Sequence, residues 1–137
     1  MNYARILLGG LLAGLVLNVG EFLLNDFVMG NQMKDFMTRH NFAEPGPNFM
    51  VAAIGLTFVM GVAIVLGYAM IRTRLGPGVK TAIIAGLFAW FAVYVYNGII
   101  HSVLFGISMS TMVMVLVWGL VQYSVAAVAG AWLYKEA

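Results

Sequence analysis

Apolar residues occupy this chain in four long blocks, separated by two short polar interruptions and one longer one. The blocks cover roughly 4–24, 49–71, 81–104 and 109–134. A helix crossing the hydrocarbon of a bilayer needs about 20 apolar residues, because it rises about 1.5 Å per residue against a core about 30 Å thick. Each block meets that requirement. The pattern predicts an all-α fold, an integral membrane four-helix bundle built as two tandem helical hairpins, with 1–137 forming a single transmembrane domain.

The interruptions differ in kind. Arg72 to Lys80 contains Gly76-Pro77-Gly78, which breaks a helix into a tight turn. Phe105 to Ser108 is shorter still, so spans two and three, and spans three and four, must be antiparallel neighbours. The segment 25–48 is long enough for structure of its own. Within it Met29, Met33, Phe36, Met37 and His40 recur at helical spacing, while Asn31, Lys34, Asp35 and Arg39 fall elsewhere on the wheel. This predicts a short amphipathic helix in the first loop, ended by Pro45-Gly46-Pro47, lying on the membrane surface or capping the bundle.

Composition strengthens the membrane assignment. The 137 residues are 63% hydrophobic and 9% charged, where a soluble domain carries about 25% charged residues. Mean hydropathy is +0.96. Too few polar side chains exist to cover a water-soluble globule. The net charge of +2 comes from scattered basic residues, which make no nucleic-acid footprint. Cysteine is absent, which excludes disulfide exchange, thiolate metal sites and cysteine nucleophiles. The first block follows Arg5 as a signal peptide would, but no small-x-small cleavage site comes after it, so it is read as a true span.

Charge also predicts orientation. Arg5, Arg72, Arg74, Lys80 and Lys135 fall on one side of the bilayer, and only Lys34 and Arg39 on the other. The richer side is expected to be cytoplasmic, with both termini inside and the first loop outside. Tyr3, Tyr68, Trp132 and Tyr134 suit an interfacial belt.

The two halves of the chain resemble each other. At one constant offset Gly10, Leu11, Ala13 and Val19 fall on Gly86, Leu87, Ala89 and Val95, while Glu21 falls on Asn97 and Asn25 on His101. At a second offset Val62, Ala63, Val65 and Gly67 fall on Val125, Ala126, Val128 and Gly130. The difference lies in the first loop. A parallel internal repeat is expected, with its axis along the membrane normal and the loop helix inserted into one copy.

Polar residues inside the spans are the candidates for chemistry. Asn18, Glu21 and Asn25 share a stripe of the first span with Gly10 and Gly14. Gly86, Tyr94, Asn97 and His101 repeat the arrangement in the third span, and Gln122 lies in the fourth. Counted along each helix from its basic end, Glu21 lies about 24 Å deep, Asn97 about 26 Å, His101 about 32 Å and Gln122 about 20 Å. The shared depth predicts one ligand or ion cluster of Glu21, Asn97, His101, Asn18, Asn25 and Gln122 in the outer half of the bundle.

A carboxylate in a span costs several kcal/mol and is a functional candidate by default. Outside a functional role, Glu21 is expected to hydrogen-bond Asn97 or His101, or simply to reach water on the outer side. His101 is expected to make a hydrogen bond rather than to ligate a metal or pigment. No metal is predicted; if one bound, Met29, Met33, Met37 and His40 offer thioethers and an imidazole suited to Cu(I). Methionine more commonly serves as adaptable apolar filler. No phosphate loop, HExxH or activated nucleophile occurs, so an enzyme is not expected.

One carboxylate in the first of four helices resembles the small multidrug-resistance transporters, but the long first loop and the strong charge bias depart from them. A closer likeness rests on the Met1-Asn2-Tyr3 start, on Gly20, and on Val28-Met29-Gly30 ten residues later. These resemble small four-helix bacterial membrane proteins to which no activity is attached. A Trp and a Pro usual there are replaced by Leu23 and Asp26. The resemblance implies a multi-pass protein of the bacterial inner membrane. The function expected is that of a small accessory or ligand-binding protein, surrounded by lipid and acting as a homo-oligomer or as a subunit of a membrane complex. The alternative is a small proton- or cation-coupled transporter using Glu21.

Overall fold

The computed structural model describes residues 1–136. Four membrane-spanning helical stretches, Tyr3–Val28, Pro47–Leu75, Val79–Phe105 and Met109–Leu133, make up nearly all of it, and no strand occurs among the described residues. The protein is an all-helical, multi-pass membrane bundle.

Helix α1 (Tyr3–Phe22) starts where the Asn2 side chain accepts a hydrogen bond from the Arg5 amide at 3.2 Å, one of the orphan donors of a first turn. Beyond Phe22 the chain stays helical but loosens into a π-helical segment, Leu23–Val28. The span therefore runs past the expected end near Leu24. Helix α2 (Gly30–Arg39) occupies the first loop. Helix α3 (Pro47–Leu75) begins on a proline, which suits a first turn because its missing N–H has no helical partner there. It runs through Arg72 and Arg74, so the following turn shrinks to Gly76-Pro77-Gly78. Gly76 and Gly78 stand at φ of +81° and +134°, a region open to glycine and strained for other residues.

Helix α4 (Val79–Trp90) passes through a second π-helical segment, Phe91–Tyr96, into α5 (Asn97–Phe105). Helix α6 (Met109–Leu133) is capped by Ser108, whose hydroxyl accepts from the Thr111 amide at 3.3 Å.

Burial is inverted relative to a water-soluble bundle. Ala13, Leu17, Val65, Ala69 and Ala126 are fully enclosed, while large apolar side chains such as Val103 (79% exposed) and Trp132 (77%) point outward. An apolar exterior on that scale requires a nonaqueous surrounding. Inside, helices meet through small residues, which let backbones approach closely. A methyl group on Gly61 would collide with the backbone of Gly10 and Gly14, and one on Gly130 would press on Gly9 and Ala13. These contacts bind α1 to α3 and to α6.

The bundle has two unlike ends. At the terminal end, where the chain begins and finishes, Arg72 lies over the Tyr68 and Tyr134 rings, with its guanidinium carbon 5.7 and 5.1 Å from their centroids. The two rings meet edge to face at 6.0 Å. The Tyr68 hydroxyl accepts from the Gly78 amide at 3.3 Å and the Tyr134 hydroxyl from the Asn2 amide at 3.4 Å. At the loop end, α2 rests on the turn between α5 and α6. Phe36 meets Phe105 edge to face at 5.4 Å, and Thr111 donates to Gln32 at 3.4 Å.

Candidate functional site

Both π-helical segments border the same space. Leu24 and Asn25 from the first and Val93 and Tyr94 from the second line a cavity of ≈ 380 Å³ at the loop end. A π-helical turn widens the backbone and is often found at functional sites. Glu21, Asn97 and His101 also line the cavity, and so do Met29 and Met33. A second cavity of comparable size, between α3 and α4, is walled by apolar residues alone, among them Met60, Gly67 and Phe88. It offers nothing to orient a polar ligand.

From the Glu21 and Tyr94 side of the loop-end cavity a hydrogen-bonded chain runs into the bundle and joins three spans. Gln122, expected in the cluster, and Trp118 belong to this chain but do not line the cavity. The Tyr94 hydroxyl donates to Glu21 Oε1 at 2.6 Å. Gln122 Nε2 donates to the same oxygen at 3.0 Å and to the Leu17 carbonyl at 3.2 Å. Trp118 Nε1 donates to Gln122 Oε1 at 2.8 Å and to the Gly20 carbonyl at 3.3 Å. Asn25 Nδ2 donates to the Glu21 carbonyl at 2.8 Å and reaches Glu21 Oε2 at 3.4 Å. The Tyr94, Gln122 and Asn25 side chains thus converge on one carboxyl.

Two glycines make room for this chain. At Gly119 a methyl group would overlap the Tyr94 ring, and at Gly20 it would overlap the Gln122 carboxamide. The Tyr94 ring is held from another side by Tyr123, edge to face at 5.6 Å.

The expected bond between Glu21 and Asn97 or His101 is not made. Asn97 Nδ2 donates instead to the Ala92 carbonyl at 2.9 Å, and His101 Nδ1 to the Asn97 carbonyl at 2.7 Å. A short polar side chain reaches a carbonyl one turn back on its own helix more readily than a group on another helix. The longer Tyr94 and Gln122 cross the gap instead. Asn18 stands outside this network and does not line the cavity. It donates to Gly14 O at 2.9 Å and, toward α3, to Ile54 O at 3.5 Å.

Of the methionine and histidine set, Met29 and Met33 reach the cavity and Met37 and His40 do not. The His40 Nδ1 is engaged with the Phe36 carbonyl at 2.9 Å, and its ring stacks on Phe42. No group of three or more His, Cys, Asp or Glu residues with metal-binding geometry occurs among the described residues.

Sequence reasoning left out Trp118 and Gly119, used Gly20 only for the family resemblance, and placed Tyr94 on the polar stripe without a role. One signal was present. Trp118 and Gln122 lie four residues apart, on one face of α6, and a buried indole N–H needs an acceptor. The π-helical segments had no sequence signal.

Comparison with protein-family models, with curated proteins and with solved structures gave no match. Function therefore rests on the cavity itself.

Proposed function

We propose that this chain is a small ligand-binding protein of a bacterial inner membrane, and that its ligand occupies the cavity at Glu21. One observation carries the proposal. Glu21, a carboxylate within a membrane-spanning helix, lines an open cavity and makes no ion pair among the described residues, where the pair formed is Arg72 with Glu136. An intramembrane ionisable group that faces a cavity marks a binding or transport path.

The closed terminal end favours binding over transport. Transport through Glu21 needs a water path from that end, and the Arg72, Tyr68 and Tyr134 contacts lie across it. An accessory role in a homo-oligomer or larger membrane assembly suits a chain whose polar chemistry is gathered at one cavity. The Lys and Arg bias supports cytoplasmic termini, which puts the cavity near the outer face.

A duplicated hairpin is part of this reading, and two features support it. Asn25 donates to the carbonyl of Glu21, and His101 to that of Asn97, the positions paired by the internal repeat. Gly10 packs on Val62, while Gly86 packs on Tyr123 and Ala127, which flank the paired Val125. In this view Glu21 and Tyr94 are the asymmetric additions that turned a paired scaffold into a site.

Gentle extraction followed by native mass spectrometry tests the proposal. Wild-type protein should carry a small molecule that Glu21→Gln loses, with both proteins melting within a few degrees of each other. Identical bound species in the two proteins, or none in either, would end it.

A further inference from the structure

The donors and acceptors of the cavity lining are unequally used. Donors in the lining are largely engaged, Tyr94 on Glu21 Oε1 and Asn25 on the Glu21 carboxyl and carbonyl, while Gln122 and Trp118 bond to each other and to Glu21 behind the lining. Acceptors are left over. Glu21 Oε2 receives only the 3.4 Å contact from Asn25. The Oδ1 atoms of Asn25 and Asn97 receive no donor among the described residues, since both amides use their nitrogen. His101 Nδ1 faces a carbonyl, which can only accept, so Nδ1 carries the hydrogen and the neutral ring keeps a lone pair on Nε2. One N–H of Asn97 and the Ser102 hydroxyl are the donors that remain.

Charge points the same way. No cationic side chain lines the cavity and Glu21 makes no ion pair among the described residues, so a cationic occupant would be the partner of its carboxylate form. Beside these polar groups the lining carries an apolar set, Met33, Val93, Met112, Val115 and Leu116. Tyr94 is the one Phe, Tyr or Trp side chain in the lining. Quaternary ammonium groups are held by cages of several aromatic rings, and no such cage exists here.

We infer that the cavity takes a protonated primary or secondary amine with an apolar tail. The ammonium N–H groups donate to Glu21 Oε2 and to the surplus amide and imidazole acceptors, while the tail lies among the methionine and aliphatic side chains. This inference rests on the ligand-binding reading and adds a chemical class to it.

The test uses the full chain in lipid nanodiscs and four probes of equal tail length, read by isothermal titration calorimetry against empty nanodiscs. The probes are octylammonium, octyltrimethylammonium, octanol and octanoate. Octylammonium should bind saturably, at least about tenfold more tightly than the other three, and lose about tenfold in Glu21→Gln, which keeps an acceptor oxygen for Tyr94 and Gln122. His101→Phe should weaken it by a smaller factor and leave the melting temperature unchanged.

Equal binding of octyltrimethylammonium would overturn the N–H requirement. Preference for octanol or octanoate would overturn the charge assignment. No saturable binding of octylammonium above empty nanodiscs would overturn the inference altogether. None of these results touches the broader proposal if native mass spectrometry still finds a Glu21-dependent ligand of another class. If no Glu21-dependent species is found, the broader proposal fails and the inference that rests on it fails too.

Discussion

The two ends of this bundle are built from the same four helices and behave as opposites. From mid-span to the terminal end, backbones touch through Gly9, Gly10, Gly61 and Gly130, and Arg72 closes over two tyrosines. At the loop end, two π-helical segments border a cavity, and polar side chains take over from glycines as the link between spans. Within a membrane no hydrophobic force draws helices together, because lipid is as apolar as leucine. Association must come from close packing or from interhelical hydrogen bonds. The terminal end uses the first and the loop end the second. Close packing leaves no room for a ligand. A hydrogen-bonded chain holds the helices together and still leaves space beside it.

If that division is right, substitutions at the two ends should fail in different ways. The largest effect is expected at Gly61. A methyl group there meets the backbone of α1, which cannot yield as a flexible side chain can. Gly61→Ala should cost about 3 kcal/mol, the upper part of the usual overpacking range, seen as a lower unfolding midpoint in detergent. A change under about 0.5 kcal/mol, the usual size for a surface substitution, would show that this contact does not hold the terminal end together.

Next comes Gln122→Leu. It removes a donor from Glu21 and an acceptor from Trp118 without changing the contacts at Gly9, Gly10, Gly61 and Gly130. The expected cost is about 2 kcal/mol, from losing the bonds to Glu21, Trp118 and the Leu17 carbonyl together, while Trp118 keeps the Gly20 carbonyl and Glu21 keeps Tyr94. Trp118 fluorescence should shift as its N–H loses Gln122 Oε1. An unchanged midpoint and spectrum would mean the hydrogen-bonded chain is not a link between spans.

Tyr94→Phe is smaller because the ring and its contact with Tyr123 survive. Losing one hydrogen bond to a charged acceptor should cost about 1.5 kcal/mol in the same unfolding assay. The same variant should alter ligand retention, which Gly61→Ala, if it folds at all, should leave intact. That contrast separates the site from the scaffold.

The smallest effect is expected from Glu136→Gln. Its oxygen lies 3.8 Å from Arg72 and its side chain is 46% exposed. An exposed pair of this kind contributes about 0.5 kcal/mol or less, so the melting curve should barely move. A larger loss would mean that the ion pair, rather than stacking on Tyr68 and Tyr134, closes the terminal end.

Much of the fold was legible in the chain. Four apolar blocks and their interruptions predict four spans, since length and hydropathy alone decide whether a helix can cross a bilayer. Span ends were less legible. Arg72 and Arg74 remain helical, and the first span continues through Asn25 and Asp26, because a helix end is set by caps and turns rather than by where apolar residues stop. The members of the site were partly legible. Glu21, Asn25, Asn97 and His101 share one cavity, as depth counting along each helix suggested. Asn18, on the same stripe as Glu21, turned toward α3 instead, because one helical face can border two neighbours.

By itself, then, the sequence determined that this chain forms four helices long and apolar enough to cross a membrane, and how far along each helix its few polar groups lie. Those facts follow from transfer energies summed along single helices. Only the tertiary structure decided which polar groups meet. The choice of Tyr94 and Gln122 over Asn97 and His101 as partners of Glu21 depends on how far each side chain reaches across a gap. It also depends on Gly20 and Gly119 standing where the network needs room, and on π-helical turns with no mark in the sequence. Interhelical distance is a property of all four helices at once, and no single span encodes it.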